Sequence, residues 1–143
     1  MVSFKTLTTA TAALVAAPLS SAYITRIEAP AEAHAGDNVT VTLGTAIYIQ
    51  NWDDLSIAWG LASPQWGGLN SDGNIYIGTK VDYTVLYPDN LPDTSKNSFT
   101  VDVQIPEGQA AGEYLLVAAV PYIVAASGMT AVRSFNSTIN ITA

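Results

Sequence analysis

Residues 23–143 predict an all-β fold, an immunoglobulin-like antiparallel β-sandwich of about seven strands. Three observations predict it. Apolar and polar residues alternate with period two through most of the chain. Turn-forming Gly, Pro, Asp and Asn recur between these runs. No stretch beyond residue 22 carries an apolar stripe at helical spacing.

The first 22 residues read differently. Lys5 supplies a positive start, Leu7 to Leu19 is apolar, and Ser20-Ser21-Ala22 places small residues at a cleavage point. That is the layout of a secretory signal peptide. The apolar run is too short to span a bilayer, and Pro18 sits near its end. The expected division is a signal peptide at 1–22 and one domain at 23–143, working outside the cell.

The strands follow in order. Tyr23 to Ala29 is a weak first strand. Gly36-Asp37 turns the chain into a second, in which Val39, Val41 and Leu43 alternate with Thr40 and Thr42. Leu55, Ile57, Trp59 and Leu61 share one parity of a third, so Trp59 is expected inside, where such sandwiches bury an aromatic ring. Asn74 to Val81 is a weaker fourth. Phe99, Val101, Val103 and Ile105 mark a fifth, closed by Pro106-Glu107-Gly108. Gly112 to Val120 is almost continuously apolar after Glu113, as befits a central strand covered on both faces. Tyr114 stands where a tyrosine corner belongs. Arg133 to Thr142 alternates again, with Phe135, Ile139 and Ile141 on one parity.

Composition narrows the function. Residues 23–143 hold four Lys or Arg against twelve Asp or Glu, a formal charge of −8. Such a surface repels nucleic acid and anionic lipid. There is no cysteine, which excludes disulfide frameworks and thiolate metal sites. Sequons at Asn38, Asn136 and Asn140 are N-glycosylation candidates. Asn136 and Asn140 project to one face of the last strand, roughly 13 Å apart. Glycans there would blunt that sheet's tendency to pair.

Catalytic chemistry finds little support. His34 is the sole histidine and sits in an apparent loop, so a two-histidine metal site cannot form within one chain. No Gly-x-Ser-x-Gly elbow occurs. Asp53 and Asp54 are adjacent and would point to opposite faces of a strand, so they do not form an acid–base pair. These acids, with Asp72, Asp89 and Asp93, read as turn caps and solubilising charges. No catalytic residue, metal or cofactor is expected. Aromatic and apolar residues in connections are the better candidates for contact: Trp66 in a Gly/Pro-rich segment, and Tyr122, Ile123 and Val124 between the last two strands.

Several segments together resemble the fungal necrosis-inducing secreted protein family. They are Ala29-Pro30, Gly36-Asp37-Asn38-Val39-Thr40-Val41, Tyr48-Ile49-Gln50-Asn51 leading to Ile57-Ala58-Trp59-Gly60, Val103 to Gly108, Gly112-Glu113-Tyr114 and Asn136 to Thr142. The likeness spans nearly all of residues 23–143. It implies a secreted fungal effector of the kind associated with suppressing pattern-triggered immunity in plants through receptor-associated kinases. It implies no catalytic residue. The expected partner is a host protein, with plant receptor-like kinases as the implied class. A module binding cell-wall glycan is the alternative, and a small hydrolase ranks last.

Overall fold

The computed structural model describes residues 21–48, 51–65, 68–69 and 73–143. Trp66 and residues 1–20 of the expected signal peptide lie outside them. Among the described residues there is no helix. The strands are β1 (Ser21–Glu28), β2 (Glu32–His34), β3 (Asn38–Tyr48), β4 (Trp52–Asp54), β5 (Ser56–Ala62), β6 (Gly68–Leu69), β7 (Ile75–Tyr76), β8 (Thr79–Val85), β9 (Ser98–Gln104), β10 (Gly112–Val124) and β11 (Met129–Thr142).

Two sheets face each other. One has the order β1-β3-β9 and the other β2-β11-β10-β5-β8, with β4 pairing the end of β10. The pairing of β2 with β11 is parallel and the rest are antiparallel. In immunoglobulin lettering these are strands A, B, E against A′, G, F, C, C′, which confirms the predicted class.

The alternation of the sequence becomes the core. Val41 and Leu43 from β3 meet Val103 from β9 on one side. Ile57 and Trp59 from β5, Leu116, Ala118 and Val120 from β10, and Ile139 and Ile141 from β11 face them from the other. All of these are buried. Each large aliphatic side chain so buried stabilises the fold by about 1.5–3 kcal/mol. Trp59 is fully enclosed, and its Nε1 donates to Thr84 Oγ1 at 2.9 Å, so burial leaves no polar atom orphaned. Tyr114 forms the expected corner: its hydroxyl donates to the Ala110 carbonyl at 3.1 Å. On β10, Leu116, Val117 and Ala118 are all buried, so both faces of this central strand are covered.

Part of the outer cover comes from residues 73–78, an excursion that leads into β8. A Cβ at Gly60 would collide with the Ile77 carbonyl, so this excursion lies directly on the sheet. Gly78 turns it back with φ 73°, a left-handed conformation that favours glycine.

Four boundaries differ from the sequence expectation. The fourth predicted strand is two, β7 and β8, because Gly78 breaks it. His34 lies in β2, not in a loop, held beside the last strand by the parallel ladder. Pro121 to Val124 continue β10, since Tyr122, Ile123 and Val124 pair with both β4 and β11; the true connection is Ala125 to Gly128. The first strand begins at Ser21, and Ala22 is buried opposite Ile47.

Candidate interaction surface

The most unusual chemistry sits where β1, β4 and β11 converge. Inward residues of β11 have odd numbers, so Arg133 shares the core-facing parity of Phe135, Ile139 and Ile141. A cation there needs a counter-charge, and Asp54 of β4 supplies it. Asp54 is completely buried. Its Oδ2 accepts the Ile24 backbone N–H at 2.7 Å, and its Oδ1 accepts Trp52 Nε1 at 3.2 Å and Arg133 Nη2. Arg133 Nη1 in turn donates to the Ile24 carbonyl at 2.8 Å.

The two side chains therefore satisfy both backbone groups of Ile24, as a neighbouring strand would. Ile24 sits beside a bulge: the β1–β3 register slips between Ile24 and Arg26. The ion pair closes that edge and ties the two sheets together. Removing two charges from water costs several kcal/mol per ion, and the added hydrogen bonds offset much of that here.

Aromatic rings complete the enclosure. The guanidinium carbon lies 4.8 Å from the Trp52 ring centre, 5.0 Å from Tyr122, 5.3 Å from Tyr23 and 5.5 Å from Phe135. Trp52 and Tyr122 stack at 4.3 Å with an 11° interplanar angle. Arg133 Nε is buried without a hydrogen-bond partner. This cluster is a clamp in which Asp54 is fully enclosed and the Arg133 guanidinium is paired, while one edge of Arg133 borders the neighbouring cleft.

Beside the clamp runs an open cleft of about 570 Å³, lined by Tyr23, Thr25, Ile75, Val132, Arg133, Ser134 and Phe135. Val132 to Phe135 of β11 line one part of it, with Tyr23 and Thr25 of β1 and Ile75 of β7 around them. Among the described residues no carboxylate lines it.

The sequence-predicted residues fall out as follows. Tyr122 and Val124 are buried, Tyr122 in the clamp, and Ile123 is half-buried. Asn38 and Asn136 are exposed; Asn140 is half-buried between Glu32 and Glu113 in the paired strands. His34 is exposed, with its Nδ1 3.4 Å from Asp37 Oδ2. Asp54 is no turn cap but the buried half of the clamp. Asp53 points the other way, as adjacent strand residues must. Burial, and then the Asp54 charge, push the Asp53 carboxyl above the usual range. Among the described residues no three His, Asp or Glu side chains group to hold a metal, and no helix is long and apolar enough to cross a membrane.

Asp54, Arg133, Trp52 and Tyr23 were missed as a group. The available signal was Arg133 itself, a charge at the inward parity of a strand otherwise read as apolar inside.

Fold and site define an immunoglobulin-like module with a rigid clamp and an open strand margin. Residues 20–140 match the model of the Nis1 family. Necrosis-inducing secreted protein 1 of Colletotrichum orbiculare is 33% identical over 141 residues, covering 94% of this chain and 79% of the relative. The protein of that name from Colletotrichum higginsianum is 30% identical over 128 residues, covering 86% and 81%. The chain belongs to the Nis1 family, and it is a secreted protein of the fungal effector class, as the resemblance implied.

Proposed function

We propose that this protein is a secreted effector that acts by occupying a surface of a host protein, without turnover, and that plant receptor-associated kinases are its targets. The observation that carries the reading is the family match across residues 20–140, within which two relatives are named as necrosis-inducing. The rigid scaffold supports it: the most unusual polar cluster is consumed in holding the sheets together. Residues 1–22 serve as the export signal, and Asn38, Asn136 and Asn140 are the glycan acceptors. Of the expected contact residues Trp66, Tyr122, Ile123 and Val124, we keep Trp66 and Ile123, because Tyr122 and Val124 are buried and can act only by supporting Ile123.

The test is direct binding of the purified protein to a panel of kinase domains from plant receptor-like kinases, read by interferometry. Saturable micromolar or tighter binding to a member is the expected result; no binding across the panel overturns the kinase assignment.

A second reading, a cell-wall glycan module, is favoured by one observation. Tyr76, Tyr83 and Tyr87 are 45%, 52% and 49% exposed on the β7–β8 side. Exposed rings of this kind stack on sugar faces. Co-sedimentation with chitin, β-glucan and cellulose decides it, and failure to pellet with all three removes it.

A further inference from the structure

We infer that the margin of β11 along the cleft is a docking site for an extended peptide, which adds to the sheet as a strand; this deepens the reading of the protein as one that binds a host protein. The partner segment is uncharged and apolar where it pairs and is flanked by Lys or Arg.

The backbone sets the direction. The Asn140 N–H donates to the Ala31 carbonyl at 2.9 Å, and the Thr142 carbonyl accepts the Ala35 N–H at 3.2 Å, so these even-numbered residues face β2. The β10–β11 register runs without a break from Met129 to Ile141. Period two therefore aims the N–H and C=O groups of Val132 and Ser134 at the same margin, before the proposed glycan at Asn136. The short strand β2 covers only Asn140 to Thr142. Among the described residues no strand pairs with this side of Met129 to Phe135, a length of roughly 20 Å.

An unpaired margin of this kind is complementary to another strand in particular. Here it is also walled. A peptide laid against Val132 to Phe135 would place alternate side chains toward Tyr23 and Thr25 on one face and Ile75 on the other. Those walls are mainly apolar, and among the described residues the one cation between them, Arg133, is already matched by Asp54. Uncharged side chains therefore fit the cleft itself. Outside it, the formal charge of −8 on residues 23–143 attracts a basic flank and repels an acidic one. The same repulsion opposes a second copy of this chain as occupant.

The experiment pans a phage library of random dodecapeptides against the purified full-length secreted protein, then measures a synthetic copy of the selected peptide. Expected are slowed amide exchange at Val132 and Ser134, and at least tenfold weaker binding to Ser134→Pro. That substitution deletes an N–H aimed into the cleft and none that serves the β10 ladder; proline is tolerated on a sheet margin. A peptide N-methylated at alternate amides is expected to lose binding as well, which tests the pairing without altering the protein. No enrichment, equal binding to Ser134→Pro with equal tolerance of N-methylation, or protection elsewhere overturns the proposal. Light scattering showing a dimer that Ser134→Pro dissolves assigns the margin to a second copy and equally overturns it. Kinase capture that survives Ser134→Pro sinks this surface but leaves the proposed function standing. Peptide binding at β11 without capture of any kinase does the reverse.

Discussion

Two tyrosines on one face of β10 show how differently the two ends of this sandwich are closed. Tyr114 and Tyr122 are eight residues apart on the inward parity, roughly 26 Å along the strand. Tyr114 makes a local bond, its hydroxyl reaching back four residues to the Ala110 carbonyl. Tyr122 takes part in a long-range cluster, stacked on Trp52 and set over Arg133, whose other contacts reach Ile24 and Asp54. One end is thus closed by the chain near itself, the other by residues from four strands. The clamp end carries a buried ionic pair and depends on each partner; the corner end does not.

The largest expected effect comes from breaking the pair. Asp54→Ala strands the Arg133 charge among rings and frees the Ile24 N–H, at a cost of about 3–5 kcal/mol. Urea unfolding of the variant reads this as a lower midpoint at unchanged slope. Replacing both partners, Asp54→Leu with Arg133→Met, removes the desolvation penalty together with the pair and is expected to recover much of the loss. A double variant as unstable as Asp54→Ala would show that the Ile24 backbone bonds, not the charge balance, dominate.

Tyr122→Ala comes next. It deletes a stacked ring that is 9% exposed, and core aromatic truncations cost about 3–5 kcal/mol. This bears on the binding question. Loss of partner binding in Tyr122→Ala would report a loosened clamp unless the fold is shown intact by near-ultraviolet dichroism. Ile123→Ala is the cleaner test of contact, because Ile123 points away from the clamp.

At the other end, Tyr114→Phe removes one neutral hydrogen bond and keeps the ring. About 1 kcal/mol is expected. A loss as large as that of Asp54→Ala would erase the contrast between the two ends.

What could be seen in the sequence follows the same divide. Trp59, Tyr114 and the alternating cores of β3, β5, β9 and β11 are local statements, since period two and a nearby turn suffice to place them. The clamp is not local: Asp54 and Arg133 are 79 residues apart, and Ile24 is a further 30 from Asp54. Adjacent Asp53 and Asp54 are chemically identical in the sequence, and only the pairing of β4 with β10 decides which one turns inward. The margin of β11 was hidden for a related reason. Alternation tells which side chains face the core, but not that β2 stops after three residues.

Asp53 gives the smallest and sharpest prediction. Its folded-state pKa is raised, first by burial and then by the Asp54 charge, so the folded protein holds this proton more tightly than the unfolded chain does. An ionised Asp53 therefore weighs against folding at neutral pH. That penalty fades as pH falls through its raised folded value and is gone below the unfolded value of 3.8, where both states are protonated. Asp53→Asn is expected to stabilise the protein slightly at pH 7 and to leave stability unchanged near pH 3. Asp93 works in the opposite sense: hydrogen bonds from Ser95 hold its carboxyl below the usual range, so its contribution is present at neutral pH and lost in acid. Melting curves of Asp53→Asn and the parent from pH 3 to 7 separate the two. An Asp53→Asn protein less stable than the parent at pH 7, with the deficit vanishing toward pH 3, would mean that Asp53, like Asp54, is a paired charge of the clamp end and not its uncompensated neighbour.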